Sequence, residues 1–400
     1  MATLASAKAG LKAGAGRARK TAGASAALRA ALTPFLAAKA VAIFVPILVV
    51  WSTSQTPGHP SYQEITQTFG YWDGRNYIDI AEKGYPSGPL DLIPGHPGHL
   101  WGFFPGLPIL LKAFSFVFRD TITSGIVINT IGEFFALFFL ARLVLLERNG
   151  DAGAARFACW LLAFWPDAVY LTVVYTDSVF MASAIASLYY MRRGDYGRAS
   201  IAAGIAVFMR ITGVILVPVL LADYIWRRRR VDTGVAGILC ALAPLLIFAQ
   251  YAASRTGDFF AYNTVQHSVS YGSRSFVPPW TGLRTTWETA TGGGPAGYNF
   301  LFLSDVVWGV AGFALLVLFA ANWRRIPWQL TLFSAGVWVL ITSFTFWQGL
   351  MRYEMAMIPI YLVGADLWRK RPQLATVVLS LSAAWMVVQT YTFATGRFGV

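Results

Sequence analysis

Charge is scarce in this 400-residue chain: 13% of its residues are Asp, Glu, Lys or Arg, about half the share of a soluble domain. Acids are the scarcest, 19 against 32 basic residues. The shortage excludes a water-soluble enzyme. It also excludes a lone membrane anchor carrying a large soluble domain, because no stretch of ordinary soluble composition is long enough. Two cysteines occur, Cys159 and Cys240, each inside an apolar run, so a disulfide scaffold is excluded as well. Apolar residues fill the gap, at 56% of the chain. The formal charge of +13 does not point to nucleic acid, since the basic residues form short clusters between apolar runs, as retained cytoplasmic loops do. The composition predicts an all-α polytopic membrane protein.

Residues 1–30 are rich in Ala and Gly, carry Lys8, Lys12, Arg17, Arg19, Lys20 and Arg29, and hold no acid. They read as a disordered basic cytoplasmic arm touching anionic lipid. Residues 31–400 read as a single integral membrane domain. The apolar run 32–51 can span ~30 Å and is not followed by a small-residue cleavage pattern, so it reads as an uncleaved helix leaving the cytoplasm. Later basic clusters (Arg142 to Arg156, Arg192 to Arg198, Arg227 to Arg230, Arg324 with Arg325, and Arg369 to Arg371), if all cytoplasmic, require an even number of crossings between them. Crossings are expected near 121–146, 234–253, 300–321 and 373–394, with two more inside 326–368. Long extracytoplasmic loops follow at about 52–120 and 254–299. The segment Phe103 to Phe118 is expected to lie in the outer interface rather than cross.

The interval between Arg198 and Arg227 is too short for two crossings of ~20 residues each. A pair of short helices meeting near Met209 to Gly213 is the economical solution. The interval 157–191 asks for the same, with Asp167 and Asp177 near its turn. Irregular backbone at that depth is tolerated only where it lines protein or a wet cavity, so the outer half should contain a hollow. The count comes to about 11 helices, within a range of roughly 9–12.

The first loop concentrates the polar chemistry: Glu64, Asp73, Asp79, Glu82 and Asp91, with His59, His96 and His99. Its centre reads as a short interfacial helix, Asp73 at the N-cap, Gly84 at the C-cap and Pro86 as the stop. Tyr77, Ile78, Ile80 and Ala81 share one face, Asp79, Glu82 and Lys83 the other. From spacing alone Asp73 reads either as a helix cap or as a working carboxylate at the membrane surface. His96 and His99 offer two metal ligands without a third nearby, and their Pro-Gly linker reads as turn chemistry, so no metal is expected. Glu133, inside an expected crossing, fits either a transport role or a bond to a neighbouring helix.

Trp72-Asp73-Gly74 followed by Ile80-Ala81-Glu82-Lys83-Gly84-Tyr85 resembles the "WDG…IA..GY" signature of PIG-V-like mannosyltransferases, multi-spanning enzymes of the GT-C glycosyltransferase superfamily. The resemblance continues in order. Phe103 to Pro108 is similar to "FFP.YP", Tyr175 to Phe180 to a "Y(S/T)(E/D)S.F" turn, and Arg210-Ile211-Thr212-Gly213 to "RPTG" with Ile for Pro. Gly257-Asp258-Phe259-Phe260 through Gln266-His267 to Pro279-Trp280 resembles "GDP.AF…Q…W…PW", and Arg352-Tyr353 with Pro359 resembles "RY…P". Six such strings in order span roughly positions 72–360.

The resemblance implies an inverting transferase that takes mannose from a polyprenyl-phosphate carrier at the outer membrane surface and gives it to an acceptor hydroxyl. It implies a GT-C-like bundle, no nucleotide sugar and no cofactor. Independently, such a reaction needs a base for the acceptor, cations for the departing phosphate and a groove for the lipid tail. Asp73 is the candidate base. Arg210 and Arg352 are the candidate phosphate ligands, with His267 and Arg274 from the second loop. For Arg210 a structural pairing with an acid such as Asp177 or Asp167 is the rival reading, and for Arg352 an interface-anchoring role. Trp72, Tyr175, Asp177, Tyr353 and Trp280 are candidate substrate contacts, Asp177 being as readable as a helix cap.

Expected partners are a polyprenyl-phosphate-linked sugar, membrane lipids, and a lipid, glycan or protein acceptor, with no nucleic acid. A transporter or flippase would show repeat halves and midplane sites, whereas the polar residues here gather in two long loops. A GT-C transferase using another prenyl-linked sugar is the nearer alternative. The Arg excess over Lys with abundant Ala and Gly suits a GC-rich bacterial genome. Hence the expected location is the plasma membrane, N-terminus cytoplasmic and active site outside.

Overall fold

Lipid offers a backbone no hydrogen-bond partners, so a chain this apolar must satisfy its own amides, and helices do that within each segment. The computed structural model describes residues 2–54, 59–90, 97–268, 274–292 and 299–397, with side chains from residue 23 onward. Among them the only extended pairing is an isolated antiparallel bridge between Phe276 and Phe344; the rest is an all-α membrane bundle. Helix α1 (Ala2–Thr53) leads into a long connection holding α2 (Tyr62–Gln67), α3 (Asp73–Lys83) and α4 (Gly106–Phe118). After α5 (Thr121–Glu147) come two broken pairs, α6 (Ala152–Ala163) with α7 (Asp177–Arg192) and α8 (Tyr196–Met209) with α9 (Leu216–Arg228).

Helix α10 (Thr233–Leu239) continues through a tight turn into α11 (Ala243–Thr256), and a second long connection holds α12 (Ala261–Gln266) and α13 (Pro279–Thr291). The chain ends with α14 (Asn299–Ala321), α15 (Trp328–Thr342), the short α16 (Leu350–Glu354), α17 (Pro359–Lys370) and α18 (Pro372–Ala394). Among the described residues five stretches are long and apolar enough to cross a membrane: Gly23–Thr53, Thr121–Glu147, Thr233–Thr256, Asn299–Ala321 and Pro372–Ala394. The last four have bounds within three residues of those expected from hydropathy, while the first starts nine residues before the expected run 32–51. Ala27, Ala30 and Ala31 of α1 are buried. Ala27 and Ala30 lie N-terminal to the boundary drawn at residue 31, so the described packing reaches a few residues past it.

Both expected breaks are present. Helix α8 ends at Met209 and α9 starts at Leu216, with a single 3-10 turn, Ile211–Ile215, between them. Helices α6 and α7 are separated by a segment, 164–176, in which every residue is buried. Helix α3 has the amphipathic split read from its sequence: Gly74, Tyr77, Ile80 and Ala81 are buried while Glu82 and Lys83 are exposed. Gly84 closes it at φ +79°, a conformation that costs a glycine nothing. Glu133 is ion-paired with Lys39 of α1 at 2.5 Å, so it bonds a neighbouring helix.

Candidate active site

The candidate base arrives by an unusual turn. Trp72 adopts φ +56°, ψ −123°, a conformation that disfavours any residue with a Cβ. The strain throws the chain directly into α3, so Asp73 is its first helical residue rather than the N-cap expected from sequence, and Trp72 holds the cap position with no side-chain capping hydrogen bond. The Asp73 amide donates to Tyr175 Oη at 3.1 Å. With no amide to cap, the Asp73 carboxylate is 46% exposed and its Oδ2 stands 3.7 Å from Arg352 Nη1.

The buried break between α6 and α7 supplies the other half. Arg352, on α16, lays its guanidinium over the rings of Tyr170 and Tyr175, 4.5 and 4.6 Å from their centroids. It binds the Asp177 carboxylate in a fork, Nε to both oxygens at 3.0 and 3.1 Å and Nη2 to Oδ2 at 2.6 Å. Arg210, in extended conformation at the end of α8, donates to Asp177 Oδ1 and stacks over Tyr353, 4.5 Å from its centroid. One buried carboxylate thus fixes two arginines, in a charge-assisted bidentate geometry stronger than neutral hydrogen bonds. The pairing of Arg210 with Asp177 is the one weighed from sequence; Asp167 instead accepts from Gln389 Nε2 at 2.8 Å.

These groups surround a cavity of about 470 Å³ whose wall includes Asp73, Arg210, Arg274, Arg352, Tyr353 and Gln348. Arg274 stacks over Phe346, 5.2 Å from its centroid, and donates from Nη2 to Gln348. Its Nε, and the hydroxyl of Thr212, are buried without a hydrogen-bond partner among the described residues; both residues line this cavity. Buried donors of this kind await a ligand or water. Burial opposes ionisation of Tyr353, yet the guanidiniums of Arg210, Arg352 and Arg274 outweigh it and hold its hydroxyl below the usual tyrosine range. Arg352 moves the other way: burial acts against its charge, but Asp177 dominates and raises it well above the usual arginine value. Burial, reinforced by the charge of Asp73, raises Tyr77.

An apolar groove of about 1200 Å³ runs along the opposite side of one cavity wall, between α3, α4, α8, α10 and α11. The wall has two faces: Tyr77, Phe104 and Met209 toward the cavity, Ile80, Pro105 and Phe208 toward the groove. Lys83 and Lys112 line the groove near α3 and α4, and Tyr196 lines it at the far end of α8. At ~1.5 Å per residue, the 14 residues of α8 make that groove roughly 20 Å long.

Not every expected site residue joins the cavity. His267 is exposed and its Nδ1 lies 2.7 Å from the Asn263 carbonyl. The wall residues of its helix are Tyr262 and Gln266, four apart on one face, and His267 falls a residue beyond that face. Trp280 lies in the first turn of α13 and is 72% exposed, away from the cavity wall. Trp72 is 37% exposed beside Asp73 and is not part of the wall. Asp177 does not line the main cavity either; it works behind the arginines.

Asp79 pairs with Lys83 at 2.6 Å and Glu82 accepts from Thr121 at 2.9 Å, both on the surface face of α3. His99 Nε2 pairs with Asn76 Oδ1 at 3.1 Å, and Asp91 and His96 lie outside the described residues. Among the described residues no three His, Cys, Asp or Glu side chains converge as metal ligands would. Tyr77, Tyr170, Thr212 and Gln348 belong to the site without having been singled out. Aromatic and small polar residues carry no signal of their own in a chain that is 15% aromatic.

No protein-family model matches the chain, and no curated protein matches it. Among solved structures it is similar to ArnT from Cupriavidus metallidurans bound to undecaprenyl phosphate, at 12% identity and TM-score 0.49, covering 90% of this chain and 76% of that one. It is also similar to the archaeal oligosaccharyltransferase AglB from Archaeoglobus fulgidus in complex with an inhibitory peptide and a dolichol-phosphate. There the identity is 12% and the TM-score 0.44, over 92% of this chain and 56% of that one.

Proposed function

We propose that this protein is an inverting glycosyltransferase of the GT-C kind. It takes mannose from a polyprenyl-phosphate carrier and transfers it to an acceptor hydroxyl at the extracytoplasmic face of the plasma membrane. The observation that carries the reading is the pairing across one cavity of an accessible carboxylate, Asp73, with Arg352 at 3.7 Å, beside a groove sized for a lipid tail. The choice of mannose comes from the PIG-V-like motifs alone.

In this reading the acceptor hydroxyl gives its proton to Asp73 as its oxygen attacks the anomeric carbon from the face opposite the phosphate. The bond from that carbon to the phosphate oxygen breaks, and the polyprenyl phosphate leaves with an added negative charge. Arg210, Arg352 and Arg274 bring three positive charges, Asp177 and Asp73 two negative ones, so the side chains of the site sum to a formal +1. A phosphodiester donor neutralises it, and the developing charge on the leaving phosphate is met by guanidiniums already fixed by Asp177. Fixed charges aimed at the leaving group need no reorganisation during the reaction, which is the larger part of electrostatic catalysis. The free Arg274 Nε suits a phosphate oxygen and the Thr212 hydroxyl a sugar or phosphate oxygen.

The test is competition. Purified protein in nanodiscs receives radiolabelled polyprenyl-phosphate mannose, a lipid extract as acceptor source, and unlabelled polyprenyl-phosphate glucose or arabinose. Transfer of label that the other sugars leave undiminished supports mannose. Transfer abolished by one of them reassigns the sugar, and a donor left intact in every condition contradicts the reaction itself.

A further inference from the structure

We infer that Lys39 and Thr172 are positioning residues: a hydrogen bond from the Lys39 ammonium to the Thr172 hydroxyl, deep in the bundle, sets the placement of the Arg352 cradle. The inference rests on the transferase reading for what the cradle does, but not for what holds it.

Tyr170, Tyr175 and Asp177, which receive Arg352, sit on or just beyond the buried break at 164–176, where no regular helix fixes the backbone beyond one 3-10 turn, Ala168–Leu171. Other elements must hold it: Gln389 and Ser382 of α18 bond Asp167 and the Phe164 carbonyl, the Phe69 carbonyl takes the Val174 amide, and the ties around Thr172 and Val173 come from α1 and α5. Asn129 of α5 donates to the Val173 carbonyl and accepts from Ser178 Oγ at 2.6 Å. Gly125 and Gly132, on the same face of α5, let the segment approach so closely that a Cβ at either would meet Val174 or Ser178 at 2.7 Å. The face is completed by Glu133, whose carboxylate anchors Lys39 of α1 at 2.5 Å. Lys39 Nζ then donates to Thr172 Oγ1 at 2.9 Å.

Side chains 9% and 3% exposed make Lys39–Glu133 an expensive pair in an apolar interior, where two aliphatic residues of equal volume would join α1 to α5 as well or better. What aliphatic residues could not supply is a donor aimed at Thr172. Thr172 lies between Tyr170 and Tyr175 in sequence, so a rotation of its backbone turns both rings against Arg352. Neither Lys39 nor Thr172 lines the cavity, and both act through the cradle. A misplacement of about 1 Å far from the chemistry can cost ~10²-fold in rate.

The test compares the full chain in nanodiscs with three variants: Thr172→Val, Thr172→Ser, and Lys39→Met combined with Glu133→Leu, which removes the donor without leaving an unpaired charge. Two measurements are made, mannose transfer from polyprenyl-phosphate mannose and hydrogen–deuterium exchange over 164–178. Thr172→Val and the double variant should lose roughly ten- to hundredfold in kcat, with KM for the donor within about twofold and faster exchange in that segment. Thr172→Ser, which restores the hydroxyl, should recover wild-type values in both. Wild-type kcat and exchange in Thr172→Val, or a loss that Thr172→Ser does not recover, would overturn the inference. If wild type itself transfers nothing, the transferase reading fails. Exchange then decides alone: faster exchange in Thr172→Val reversed in Thr172→Ser supports the positioning role, and unchanged exchange rejects it.

Discussion

Replacing Asp177 by Asn should uncouple stability from the chemistry at Asp73. The Asp177 side chain is 2% exposed and takes bonds from Arg352 at 2.6, 3.0 and 3.1 Å, and another from Arg210. Neutralising it leaves two guanidiniums, 10% and 12% exposed, facing each other across an amide. Removing one partner of a buried pair costs about 3–5 kcal/mol. The amide keeps an acceptor oxygen worth about 1 kcal/mol, so a net loss of about 2–4 kcal/mol follows. At roughly 2–4 °C per kcal/mol for a large domain, the apparent Tm in detergent should fall by about 5–15 °C. Asp73→Asn is the control. That side chain is 46% exposed with its charge partner at 3.7 Å, so solvent screening leaves it below about 1 kcal/mol. Thermal unfolding of both variants, scanned at one rate because such proteins unfold irreversibly, provides the comparison. An Asp177→Asn variant melting within about 2 °C of wild type, or an Asp73→Asn variant falling as far as Asp177→Asn, would refute the clamp.

Arg274→Gln should weaken polyprenyl-phosphate binding about tenfold, the worth of one charge-assisted hydrogen bond, while the melting curve stays near wild type; ligand-induced shifts of Tm measure it. Ser200→Phe, which projects a ring into the apolar groove beside α8, should raise KM for a long-chain donor and leave a short-chain analogue unaffected. In an alkaline absorbance titration, one tyrosine should ionise before the rest, because three guanidiniums favour the Tyr353 phenolate over burial. That early phase should vanish in Tyr353→Phe. Gly132→Val should cost about 1–3 kcal/mol through overpacking against Ser178, seen as a lower apparent Tm.

Apolar length was enough to read α5, α11 with its lead-in, α14 and α18, since a run of about 20 apolar residues has few other uses. The two broken pairs followed from arithmetic on the intervals between basic clusters. The turn at Trp72 did not, because backbone torsion leaves no mark in a Trp-Asp-Gly string, and Asp73 reads as a cap until Trp72 is seen in that role. The clamp joins Asp177 to Arg352, 175 positions apart, a pairing that no local pattern encodes. Lys39 carries no signal for a related reason: one lysine inside an apolar run shows no partner in the sequence, and its acid lies on another helix. His267 and Gln266 differ by a single residue of helical phase, which motif spacing cannot resolve.

The most direct test of the central claim is mannose transfer by wild type and Asp73→Asn, side by side, in nanodiscs with radiolabelled polyprenyl-phosphate mannose and a lipid extract. The account predicts labelled product from wild type and a loss of at least ~10²-fold in the folded variant, the contribution of a carboxylate base. Equal transfer by the two proteins would remove Asp73 as the base and contradict the account.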